Sequence, residues 1–174
     1  MEAAAPQGLV GRQLGEFFLV QKIGEGGFGA VYRASQPALD REAVVKILHA
    51  RLRDDHDAVM RFMREARLAA RLDHPYAAHV YAYGAEPDGI LWIAMELVRG
   101  TPLSEVLRAQ GPIPLGRLVP FIEQLCDVVH SAHEKGIIHR DIKPANVMVL
   151  SRGGRLLPKH LDLGVAKLID DILP

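Results

Sequence analysis

Residues 23 to 31 read Ile-Gly-Glu-Gly-Gly-Phe-Gly-Ala-Val, a G-x-G-x-x-G-x-V array set between the apolar stretches FFLV and AVYRA. Glycines at Gly24, Gly26, Gly27 and Gly29 carry no Cβ, so backbone N–H groups can approach the oxygens of an anion. The same glycine spacing can open a helix after a strand, but here Val31, Tyr32 and Arg33 continue in strand-like composition. The array therefore predicts a strand–loop–strand lid, with Ile23, Glu25 and Phe28 interleaved among the glycines. That hairpin fixes the architecture of everything near it.

Further along, Glu42 to Leu48 form a β-branched run in which Lys46 is flanked by apolar neighbours. On a strand, Val44, Lys46 and Leu48 share one face, so the ammonium projects where a phosphate can pair with it. An edge lysine that discourages aggregation gives the same local pattern. Residues 57 to 72 read as an amphipathic helix with Phe62, Ala66, Ala69 and Leu72 at helical steps and Asp57 as its N-cap. Glu65 sits beside that apolar face, while Arg61, Arg64, Arg67 and Arg71 are free to meet solvent. An inward carboxylate is costly without a cation, and Lys46 is the evident candidate; a solvated glutamate in an arginine-rich helix is the competing reading.

Residues 139 to 146 read HRDIKPAN. Asp141 offers a proton acceptor, Lys143 a compact cation and Asn146 a carbonyl oxygen suited to a hard ion such as Mg²⁺. Transfer of a phosphoryl group to a hydroxyl needs these parts, because its loose transition state mainly requires alignment and charge neutralisation. Leu161-Asp162-Leu163-Gly164 follows, with Asp162 placed as a second metal ligand and Gly164 allowing a sharp turn.

Taken in order, the glycine loop, lysine, helix glutamate, HRD loop and D-x-G resemble the protein kinase superfamily, specifically the eukaryotic-type (Hanks-type) Ser/Thr protein kinases of bacteria. The resemblance runs from about Val10 to about Lys167, and VGRQLGEFFLVQKIGEGGFGAVYRA is similar to the opening of many bacterial members. It implies an α+β, protein-kinase-like fold: an antiparallel β-sheet N-lobe with one key helix, then an incomplete, mainly helical C-lobe. It implies ATP and Mg²⁺, with Asp141 as catalytic base, a Lys46–Glu65 ion pair, and Asn146 and Asp162 as metal ligands. Lys143 resembles the Ser/Thr subgroup. Met95, Glu96, Leu97 and Val98 resemble a gatekeeper and hinge. By that likeness the Glu96 carbonyl and the Val98 N–H hold the purine edge between Val31 and Met148. Val44 stands where the family commonly has alanine, and Leu163 where it commonly has phenylalanine. His160 occupies a strand position that is commonly aliphatic and reads as an exposed edge residue.

The resemblance also implies an early stop. The chain ends at Pro174, where the family begins its activation segment, and the tail VAKLIDDILP holds no Ser, Thr or Tyr. On this basis the sequence is expected to be a kinase truncated after D-x-G, and residues 118 to 132, apolar on several sides, to leave a face exposed or covered by a partner. Two other readings stay open: a nucleotide-binding or interaction module without protein phosphorylation of its own, and a gene product with no stable fold.

Composition narrows the rest. With 21 basic and 21 acidic residues the formal net charge is +0, which leaves no electrostatic footprint for nucleic acid. Cys126, the single cysteine, excludes an internal disulfide, fits a cytoplasmic location and is expected to pack inside its helix. No apolar run reaches membrane-spanning length, and MEAAAPQG lacks the regions of a signal peptide. Turn signals divide the chain into a loose tail (1–9), an N-lobe (10–95), a hinge (96–100) and a partial C-lobe (101–174). The protein substrate is not legible.

Overall fold

Two-residue alternation builds the first half of the molecule. In the computed structural model, which describes residues 8–138 and 142–161, strand β3 (Gly29–Gln36) buries Ala30, Tyr32 and Ala34 and leaves Val31, Arg33 and Ser35 half-buried on the other face. Strand β4 (Arg41–Leu48) repeats this with Ala43, Val45 and Ile47 buried. Together with β1 (Gln13–Leu14), β2 (Phe17–Glu25), β5 (Val80–Ala85) and β6 (Leu91–Glu96) they form a six-stranded sheet of order β1-β2-β3-β4-β6-β5. Every neighbouring pair is antiparallel.

One sheet face gathers Leu14, Phe17, Leu19, Tyr32, Val45, Ile47 and Trp92 into a core. Trp92 meets Phe17 edge-on at 5.9 Å, and its indole N–H donates to Glu86 at 2.8 Å, so the one polar atom of the ring is satisfied. The opposite face receives helix α1 (His56–Arg71): Phe62 and Ala66 of the helix pack with Leu48 and Ile93 of the sheet. Burying a side chain the size of Phe62 stabilises by about 1.5–3 kcal/mol, one part of the packing that holds this arginine-rich helix on the sheet.

Helix α1 begins differently from the expectation. Asp55, not Asp57, caps it: the Asp55 Oδ1 accepts from the N–H groups of Asp57 at 3.0 Å and Ala58 at 3.1 Å. Asp57 lies inside the first turn, where its charge meets the positive end of the helix dipole. Ala69 is half-buried, and the buried positions of the helix are Ala58, Phe62 and Ala66.

The chain divides into two compact units, Met1–Ala66 with Val80–Leu97, and Arg67–His79 with Val98–Pro174. In the second, β7 (Thr101–Pro102), β8 (Val147–Arg152) and β9 (Arg155–His160) form a sheet of order β7-β8-β9. Gly153 and Gly154 turn the β8–β9 hairpin with φ of 55° and 77°, the left-handed conformations that a two-residue hairpin turn demands. Helix α2 (Leu103–Gln110) stops at Gly111, and helix α3 (Leu115–Glu134) ends just before Gly136. Val106, Phe121, Val147 and Val149 make one core of this unit; Leu72, Ala77, Val128, Ala132 and Ile137 make the other.

The stretch after α1 is stitched into that second core. His74 accepts from the Tyr76 N–H through Nδ1, which leaves the hydrogen on Nε2 to reach Asp127 of α3 at 3.2 Å. Lys135 donates to the Arg71 carbonyl at 2.9 Å and Lys159 to that of Pro75 at 3.0 Å. His160 is drawn in with them: its N–H donates to Tyr76 and its carbonyl accepts from Ala78, both at 2.8 Å. His160 is therefore 4% exposed, not the exposed edge residue its sequence position suggested. Cys126 departs in the other direction, being an exposed thiol on α3. No helix among the described residues is long and apolar enough to cross a membrane.

Candidate functional site

The first unit carries the glycine-rich hairpin. Strands β2 and β3 flank a turn at Gly26, Gly27 and Phe28, closed by a hydrogen bond from the Gly26 N–H to the Gly29 carbonyl at 2.9 Å. The glycines serve different needs. A Cβ on Gly29 would stand 2.1 Å from the Ile47 carbonyl oxygen, so only glycine lets β3 lie this close to β4. A Cβ on Gly26 or Gly27 would meet nothing within 4 Å, which leaves their backbone open to an approaching ligand. Ile23 falls where the β2–β3 register shifts between Lys22 and Gly24 and is 48% exposed. Glu25 bonds Lys22 at 2.5 Å, and this hydrogen bond holds the Glu25 carboxyl below the usual carboxylate range.

Register places the next group. Lys46 stands opposite Val31 on one side and Ile93 on the other, and Val44 stands opposite Met95. Directly paired residues share a sheet face. Val31, Val44, Lys46 and Met95 thus lie on the face that also carries Leu48 and Ile93, the face on which Phe62 and Ala66 of α1 pack. Glu65 is half-buried and adjacent to Ala66. Lys46, Glu65 and Glu96 all have interaction partners.

In the second unit, Pro144–Asn146 form a single 3₁₀ turn, with the Asn146 N–H donating to the Lys143 carbonyl at 2.9 Å. The Asn146 carbonyl accepts from the Leu161 N–H at 3.0 Å. That bond ties the end of HRDIKPAN to the residue immediately before Asp162. Lys143 is exposed and Asn146 half-buried, and both have interaction partners. Met148 is half-buried on β8, opposite Pro102 and Lys159, and Val98 is 9% exposed. Asp141 and Asp162 lie outside the described residues.

The donor set suits Mg²⁺. Asn146 and Asp162 offer hard oxygen atoms, and Mg²⁺ commonly takes only one or two protein ligands while substrate phosphates and water complete its shell. Sequence reasoning missed two residues close to the glycine turn, His49 and Arg51, which hydrogen-bond its carbonyls. Their spacing from the turn, more than twenty residues, carries no signal short of the β3–β4 register itself.

The protein kinase domain model matches residues 17–172. Serine/threonine-protein kinase pkn3 of Myxococcus xanthus is 44% identical over 149 residues, covering 85% of this chain and 27% of that protein. PrkC of Bacillus subtilis is 38% identical over 159 residues, covering 91% and 24%. The crystal structure of the Mycobacterium tuberculosis PknI kinase domain superposes with a TM-score of 0.74 at 30% identity, covering 94% of this chain and 64% of that one. The chain thus spans about a quarter of the length of the curated relatives it matches. A family match over nearly all of the sequence, joined to a fold that superposes on a solved kinase domain, leads to one conclusion: the chain belongs to the protein kinase domain family.

Proposed function

We propose that this chain carries the nucleotide-handling part of an ATP-dependent Ser/Thr protein kinase, which transfers the γ-phosphoryl group of Mg-ATP to a protein hydroxyl. The observation that carries the reading is the register that sets Lys46 on the sheet face packed by α1, the helix that carries Glu65. A lysine so placed can pair with the α- and β-phosphates, oriented by the Glu65 carboxylate. The glycine turn from Gly24 to Gly29 covers the phosphates, while Ile23, Val31, Val44, Met95 and Met148 supply apolar contacts to the base. Glu96 and Val98 offer a backbone carbonyl and an N–H to its edge.

In the transfer step the substrate hydroxyl gives its proton to the Asp141 carboxylate as its oxygen bonds the γ-phosphorus. The bond from that phosphorus to the bridging oxygen breaks, and the electron pair leaves with ADP. Lys143 neutralises charge on the migrating group. Asn146 and Asp162 would hold Mg²⁺, which would supply charge neutralisation to the phosphate oxygens when bound. ATP as substrate points to the cytoplasm as the place of action, and cell fractionation tests it.

Direct measurement is straightforward. ATP with Mg²⁺ should raise the unfolding temperature of the chain, and labelled phosphate should pass to a generic acceptor protein. Neither effect appearing would overturn the reading.

One observation favours a second reading of these 174 residues by themselves. Leu115, Val119 and Ile122 lie one, two turns apart on α3 and are 74%, 52% and 41% exposed. Such a stripe fits a module that binds nucleotide and docks further protein on α3 before it can phosphorylate a substrate. A nucleotide-dependent thermal shift without phosphate transfer would select it.

A further inference from the structure

The turn of the glycine-rich hairpin is tied down by its carbonyls. Gly26 accepts from the His49 ring at Nε2, 2.8 Å away; Gly27 accepts from Arg51 Nη2 at 3.1 Å; Phe28 accepts from the His49 backbone N–H at 3.0 Å. A carbonyl can only accept, so the His49 imidazole carries its hydrogen on Nε2. All three donors come from the short stretch between β4 and α1. A fourth contact runs the same way, with the Arg61 guanidinium 5.3 Å from the centre of the Phe28 ring.

The donors of the turn are in the opposite condition. Among the described residues, the N–H groups of Gly27 and Phe28 make no hydrogen bond, and both residues are exposed. A peptide turn presents carbonyl oxygens and N–H groups in equal number, and an approaching phosphate is repelled by the first and attracted by the second. Engaging three successive carbonyls removes the repulsive half. The nearby Glu25 carboxylate is offset as well, by Lys22 at 2.5 Å.

We propose that His49 and Arg51 are positioning residues of the phosphate lid: they hold the carbonyls of Gly26, Gly27 and Phe28 and leave the Gly27 and Phe28 N–H groups for the phosphates of the nucleotide. This rests on the reading of the hairpin as a nucleotide lid. The latch adds selectivity for the charged end of the ligand. It contributes nothing to the base, which is held by other residues. Because Arg51 and His49 follow directly on the strand of Lys46, lid and lysine are also tied to one stretch of backbone.

The test is a calorimetric titration of the whole 174-residue chain with Mg-ATP and, separately, with adenosine. It compares the wild type, His49→Phe, Arg51→Met, the double variant and Lys46→Met. Arg51 is exposed, so its variant keeps the fold even where the His49 change perturbs packing. The expected result is a rise in the ATP dissociation constant of about tenfold in the double variant and about threefold for Arg51→Met, as loss of two ordinary hydrogen bonds implies. Adenosine affinity stays within about twofold. ATP affinity unchanged in all three latch variants, while Lys46→Met weakens it, overturns the latch and leaves the lid reading standing. Equal weakening for ATP and adenosine overturns it as well, since only general damage acts on both. A wild type that binds adenosine and ATP alike, with Lys46→Met without effect, removes the lid reading and the latch with it.

Discussion

Glycine at position 29 and glycine at position 26 look interchangeable in sequence, yet the structure assigns them unlike tasks. A methyl group on Gly29 meets the Ile47 backbone oxygen at 2.1 Å, a contact that backbone cannot yield without opening the β3–β4 ladder. Gly29→Ala should therefore lower stability by roughly 1–3 kcal/mol in urea unfolding, whereas Gly26→Ala, with open space around it, should stay within about 0.5 kcal/mol. A second residue-scale expectation concerns Asp88, whose carboxyl is held below the ordinary aspartate value chiefly by a hydrogen bond from Arg12, 2.7 Å away. Because the folded value is the lower one, the pair's contribution is present above the ordinary aspartate range. It is lost as pH falls through the lowered value. An NMR titration should find the Asp88 midpoint lowered in the wild type and returned toward normal in Arg12→Gln. The shared face of Val44, Lys46 and Leu48 was legible because strand period alone fixes it, whereas Val31 and Met95 join that face through pairing with neighbouring strands. His49 and Arg51 were not legible, since their targets are set by pairing between strands.

At the scale of elements, α1 shows where local reading stops. Asp55 and Asp57 are both competent caps, and their sequence neighbourhood does not separate them; the structure does, by giving both first-turn hydrogen bonds to Asp55. Asp55→Ala should cost about 1 kcal/mol, and Asp57→Ala only the few tenths due to the helix dipole, both read by thermal unfolding. The β2–β3 hairpin was readable because glycine placement and flanking apolar runs are local signals. His160 was misjudged for the opposite reason. Its burial depends on Tyr76 and Ala78, partners that no local pattern around β9 announces. Cys126 was misjudged alike: a helix apolar on several sides does not say which side its neighbours will cover, and in α3 they cover Phe121, Val128 and Ala132.

For the whole molecule, that choice of side leaves Leu115, Val119 and Ile122 facing outward on α3. The isolated chain should then self-associate as concentration rises, and Leu115→Gln with Val119→Gln should reduce light scattering without lowering the unfolding midpoint. The α+β architecture followed from the order of the motifs, and the family match confirms it. The charged machinery around the phosphates is the central claim, and it separates binding from chemistry. Titrating Mg-ATP into the wild type, Lys46→Met and Asp141→Asn, with thermal shift as the readout, tests it most directly. The account predicts a shift for wild type and for Asp141→Asn of nearly the same size, and a shift cut by about 1 kcal/mol or more for Lys46→Met. Equal loss in both variants, or no shift in the wild type, would contradict it.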